Sequence, residues 1–162
     1  MPQHLVMEEF TISGSSVSAA VSVSPLNLRV SDELAATLLA MRPTLAEHTC
    51  KQQGFGYFGD KLVGSTLPHL VEHLAIDLLV EESRQKTESV TEPALDTSQA
   101  SHDKVSQATH QEAPRVVAGI TRWLDSDKGK MQVKISCTAQ DADKTCRAIT
   151  QAIDMVNGLL RH

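Results

Sequence analysis

Thr66-Leu67-Pro68-His69-Leu70-Val71-Glu72-His73-Leu74-Ala75-Ile76-Asp77-Leu78-Leu79 is the stretch on which the reading of this chain turns. Thr66 can cap a helix, and Pro68 sits in the first turn, where a proline is tolerated. The apolar residues Leu67, Leu70, Val71, Leu74, Ile76, Leu78 and Leu79 cover nearly every face. A helix over 66–82 with that pattern is central and buried, not a surface helix. His69 and His73 are four apart, so they project from one face, one turn above the other. Two imidazoles at that spacing can bind one tetrahedral divalent metal, with zinc the first candidate. Glu72 shares the face. The order HxxEH is the inverse of the HExxH metalloprotease motif, and it makes Glu72 the candidate catalytic acid–base.

Working outward, residues 17–23 alternate Val17, Ala19, Val21 and Val23 with Ser18, Ala20 and Ser22, the period of a half-buried strand. Residues 5–12 predict its hairpin partner across Gly14-Ser15-Ser16. Ser31-Asp32-Glu33 starts a helix with Leu34, Leu38 and Met41 on its apolar stripe, and Pro43 ends it. Residues 44–61 show no clear helix or strand. Three of the chain's five Phe, Tyr and Trp residues fall there (Phe55, Tyr57 and Phe58, among Gly54, Gly56 and Gly59), and they predict a loop that folds its aromatics onto the core.

Residues 115–121 and 131–138 predict two more strands, joined through Asp125-Ser-Asp127-Lys-Gly129. Cys146, Ile149, Ile153, Val156 and Leu160 recur at helical spacing in 141–160. The expected fold is α+β: a mostly antiparallel sheet with helices packed on one face and the His69–His73 helix buried at its centre. The expected organisation is a single domain over 1–162, interrupted at 84–114 by a polar stretch that cannot bury enough apolar surface to order itself.

The composition limits the functions. A net charge of −5 and 3% aromatic residues argue against a nucleic-acid or anionic-membrane partner. The odd set Cys50, Cys137 and Cys146 contains no CxxC and suits reduced thiols. With no leader-like or membrane-length apolar run, the expected location is the cytoplasm. A catalytic metal needs a third protein ligand, and Cys50, His48, Glu47 and Cys137 are the candidates. Cys137 also continues the apolar face of Val133 and Ile135, and Cys146 lies on the last helix's core stripe. Glu47-His48-Thr49-Cys50 brings three ligand types into four residues and is the more suggestive cluster.

Leu45-Ala-Glu47-His48-Thr-Cys50, Gly54-Phe55 and Gly64-Ser-Thr-Leu-Pro-His69-Leu-Val-Glu72-His73-Leu-Ala-Ile-Asp77-Leu together resemble the N-terminal domain of cyanophycin synthetases. Ala118-Gly119-Ile-Thr121-Arg122 and residues 131–160 extend the likeness. In that family the domain is associated with polymer binding and, in some members, with a metal-dependent peptidase site. The resemblance implies His69, His73 and Cys50 as metal ligands and Glu72 as the base. It implies a peptide-like or polymer substrate, and it makes Arg122 a candidate contact for a substrate carboxylate. The family's ATP-grasp and Mur-ligase-like domains are not in this chain, so a ligase would be a partner. Pro68 replaces the family's Gly before the first His, and Ser136 and Cys137 stand near where its closing strand often carries a Glu.

Three functions follow as expectations. The first is a zinc-dependent peptidase or amidase. The second is a non-catalytic polymer- or peptide-binding accessory domain of a ligase system. The third is a metal lyase, since S-ribosylhomocysteine lyases also combine HxxEH with a distant Cys. The sequence does not fix the oligomeric state.

Overall fold

In a computed structural model, which describes residues 3–51, 54–88 and 117–161, the chain forms a four-stranded antiparallel sheet with helices on one side. Strands β1 (Leu5–Ser13) and β2 (Ser16–Val23) make the expected hairpin. Strands β5 (Gly119–Asp125) and β6 (Lys130–Ser136) make a second, and β2 pairs with β6 to give the order β1-β2-β6-β5. Between them, β3 (Thr49–Cys50) and β4 (Gly56–Tyr57) form a separate two-stranded ladder.

The alternation read from the sequence decides which face is covered. Val17, Ala19, Val21, Val23, Met131, Val133 and Ile135 are buried, while Lys134 on the opposite face is exposed. On the buried face lie α2 (Leu67–Glu88) and α3 (Ala142–Leu159), in contact with each other and with the sheet. Helix α1 (Asp32–Met41) adds Leu34, Ala35 and Leu38 to the same core, and the Ser31 hydroxyl accepts the Leu34 amide at 3.2 Å as the expected cap. The fold is α+β.

Several boundaries differ from expectation. Helix α2 does not stop at Glu82 but runs to Glu88. Ser83, Arg84, Gln85 and Lys86 have no apolar stripe to announce a helix. They extend it as a solvated last stretch, with Lys86 and Glu82 paired at 3.3 Å. The first residues of the expected disordered stretch 84–114 are therefore helical, and the rest of it, from 89 onward, lies outside the described residues. Strand β5 covers 119–125, not 115–121, because the edge strand continues through Trp123 to Asp125 with a bulge in its pairing to β6. The aromatic loop is split. Phe58 is fully buried as expected, but Phe55 is 81% and Tyr57 59% exposed, so only one of the three rings reaches the core.

Candidate metal centre

Helix α2 supplies most of the centre. The Thr66 hydroxyl accepts the backbone N–H of His69 at 3.3 Å, fixing the first turn from which His69 projects. One turn on comes His73, and Glu72 lies beside it. All three are 4–6% exposed. The fourth residue arrives from β3: Cys50, 3% exposed, with its Sγ 3.4 Å from His69 Nε2. Lys61 holds that hairpin in place by donating from Nζ to the Cys50 carbonyl at 3.2 Å.

The ligand atoms of Cys50, His69 and His73 all lie within 4.8 Å of one another. Atoms bound to a single zinc at about 2.0–2.3 Å stand roughly 3.3–3.8 Å apart in a tetrahedron. Small side-chain adjustments would close the group on an ion, and three protein ligands would leave a fourth position for a water or substrate. His73 Nε2 is buried and has no hydrogen-bond partner among the described residues. A buried ring nitrogen left without a partner is costly, and a cation at that point would satisfy it. Cys50, His69 and His73 form a buried group that can hold a metal ion.

Burial also sets the protonation states. It lowers His69 from 6.5 to about 4, assisted by the charge of Lys61. It lowers His73 to about 3, assisted by His69 and His48. Both rings are neutral at pH 7, the form a metal requires. Phe58 stacks on His73 at a centroid separation of 3.8 Å and meets His69 edge-on at 5.2 Å, forming an apolar wall on one side of both rings. Burial raises the Glu72 carboxyl from 4.5 to about 7, although a hydrogen bond from the Thr121 hydroxyl opposes the shift. A carboxyl balanced near neutrality can take and return a proton.

The other candidates are placed elsewhere. His48 is not among the three ligand atoms; its Nδ1 faces His73 Nδ1 at 3.4 Å. Glu47 is exposed on the rim of the cleft. Cys137 is half-buried, packs against the hydrophobic core and stands outside the group, as does Cys146 on α3. Arg122 follows Thr121, whose side chain turns inward to Glu72, so Arg122 points to the opposite face of the sheet. There its Nε donates to Gln132 at 2.7 Å. A substrate carboxylate in the cleft would not meet it.

Three residues without an assigned role in the sequence prove central. Thr121 and Gly119 bring β5 against Glu72. Asp77, one turn beyond His73, collects the Thr44 hydroxyl at 2.6 Å, Arg42 Nε at 2.7 Å and His48 Nε2 at 3.3 Å. Its position at i+4 from His73 was the available signal. Cys50, His69, Glu72, His73, Asp77 and Gly119 line a cleft of about 940 Å³ that follows α2 from His69 to Arg84.

Compared with known proteins, the chain has no match: no family model, no curated protein and no solved structure. Among the described residues, no helix is long and apolar enough to cross a membrane.

Proposed function

We propose that this protein is a zinc-dependent hydrolase of amide bonds, a peptidase or amidase acting on a peptide-like or polymeric substrate. The observation that carries the reading is the pairing of a buried Cys50–His69–His73 group with the Glu72 carboxyl, whose pKa is near 7, in one cleft. Zinc is the metal that best suits a thiolate and two imidazoles. When bound, it would polarise a carbonyl and lower the pKa of a water. The chain's own residues do the rest. Glu72 accepts the proton released as the nucleophile attacks and delivers it to the leaving nitrogen. Thr121 holds the carboxylate in place. Phe58 covers one side of the imidazoles, and their burial keeps them neutral. The resemblance to the cyanophycin synthetase N-terminal domain supports an amide polymer as substrate, with a ligase as functional partner.

The test uses untagged protein, zinc analysis and mass spectrometry of peptide and Asp–Arg polymer mixtures. Cleavage that disappears in Glu72→Gln while zinc is retained is the expected result. If His69→Ala and His73→Ala leave zinc content unchanged, the metal assignment is overturned. Zinc binding without cleavage, and with peptide affinity unaffected by Glu72→Gln, would make the protein a binding module instead.

A further inference from the structure

Behind the metal centre, Asp77, His48 and His73 stand in series. The Asp77 carboxylate faces the Arg42 guanidinium, with Oδ2 2.5 Å from Nη2, and its Oδ1 accepts from Thr44. With donors on both oxygens it has no proton to offer, so the His48 Nε2 at 3.3 Å must be the donor of that contact. An N–H on His48 Nδ1 as well would force the His73 N–H onto its buried Nε2, which has no acceptor among the described residues, so His48 Nδ1 is the acceptor. Opposite it, at 3.4 Å, is His73 Nδ1, which must therefore carry the N–H of that ring. The His73 lone pair is then left on Nε2, the buried nitrogen that has no partner among the described residues.

We infer that His48 is a positioning residue and not a metal ligand: held by Asp77, it fixes the tautomer and ring orientation of His73, so that Nε2 presents its lone pair to a cation shared with Cys50 and His69. Such outer partners of ligating histidines are usually a carboxylate, a carbonyl or a water. Here a second imidazole is interposed, and the carboxylate acts through it. The arrangement also ties the chain segment ahead of Cys50 to α2. Arg42 precedes a 3-10 turn over Pro43–Glu47, Thr44 lies within it, His48 follows it, and all three bond Asp77. One carboxylate therefore aligns a ligand on the helix with the strand that carries another. The purpose of the series rests on the metal-centre reading above, but its tautomers can be read without metal.

Long-range proton–nitrogen correlation spectra of metal-free protein labelled with nitrogen-15 histidine test it directly. His73 is expected as the Nδ1–H tautomer and His48 as Nε2–H. The opposite tautomer on either ring overturns the inference. Zinc affinity, measured by competition with a chelator, is expected to fall about 10- to 100-fold in His48→Ala. It is expected to recover in His48→Asn, whose Oδ1 can accept in place of Nδ1. Unchanged affinity in His48→Ala overturns the inference. Cobalt-loaded His48→Ala should keep two paramagnetically shifted imidazole rings, and loss of one would make His48 a ligand. Should wild-type protein bind no zinc, the hydrolase reading fails, and the tautomers of the metal-free protein still decide the series.

Discussion

Gly119 touches Glu72 so closely that a Cβ at position 119 would lie 2.6 Å from the Glu72 Cγ and 2.8 Å from its Oε1. Glu72 sits on a buried helix face, so Gly119→Ala must push the carboxylate aside or shift β5. The expected result is a loss of roughly 1–3 kcal/mol of stability, the usual range for overpacking. Activity is expected to fall far more than zinc content, because none of Cys50, His69 and His73 is touched. Denaturant unfolding, metal analysis and turnover on one preparation check all three.

The Glu72 carboxyl gives a second prediction, made for metal-free protein. Its pKa is raised from 4.5 to about 7 by burial, so a carbon-13 carboxyl titration should show it changing state near pH 7. Thr121 donates to the ionised form and lowers the value, so Thr121→Val should move the midpoint upward. Zinc loading should move it downward, since a nearby cation favours the carboxylate. The native state holds a proton that the unfolded chain has released between pH 4.5 and 7, so this group's contribution is complete below 4.5 and lost as pH rises through 7. Glu72→Gln should therefore make metal-free protein more stable above neutrality.

Much of this centre was legible because helix periodicity is local. Thr66, Pro68 and the apolar run announced α2, and the four-residue spacing placed His69, Glu72 and His73 on one face before any tertiary contact was known. Strands β2 and β6 were legible for the same reason, since Val17, Ala19 and Val21 alternate with Ser18, Ala20 and Ser22, and Val133 and Ile135 alternate with Lys134 and Ser136. Contacts across the fold left no such trace. Thr121 is 49 residues from Glu72, and nothing around it marks its hydroxyl as a carboxylate partner. Gly119 reads as a strand glycine until α2 is laid beside it. His48 was a ligand candidate by residue type, and only the position of Asp77 turns it toward His73. The end of α2 was missed because its final residues are held by helix propagation and surface pairs, not by burial.

Metal and acid should act on the same two histidines. In metal-free protein, His69 and His73 have pKa values of about 4 and 3, against 6.5 unperturbed. The unfolded chain takes up protons at these positions between pH 6.5 and 3, and the native chain does not. Stability is therefore present above 6.5 and lost as pH falls toward 3. Zinc works in the opposite sense. At a free concentration 100 times its dissociation constant it should add about 2.7 kcal/mol. His69→Ala, His73→Ala and Cys50→Ala should each abolish most of that increment, and the two histidine variants should also flatten the acid limb. Thermal unfolding across pH, with zinc and with chelator, separates the two effects. An equal zinc increment in all three variants would disprove the assignment of the group.

Asp77 and Arg42 make the most demanding case, because their ion pair is largely shielded from water. Asp77 is 4% exposed and the Arg42 side chain 17%, with Nη1 of Arg42 also 2.5 Å from Glu81. Although burial opposes it, bonds from His48, Thr44 and Arg42 hold the Asp77 pKa at about 2. Its contribution is thus present above pH 3.8 and lost as pH falls toward 2. Asp77→Ala leaves a guanidinium and an imidazole without their acceptor and should cost about 3–5 kcal/mol, as breaking a buried pair does. Arg42→Leu/Asp77→Leu removes both charges together and should cost less than Asp77→Leu alone, a coupling that a double-mutant cycle by urea unfolding would measure directly. Additive costs would mean that the two residues act independently. Asp77 would then be held by its hydroxyl and imidazole partners, and the carboxylate would owe its place to Thr44 and His48 alone.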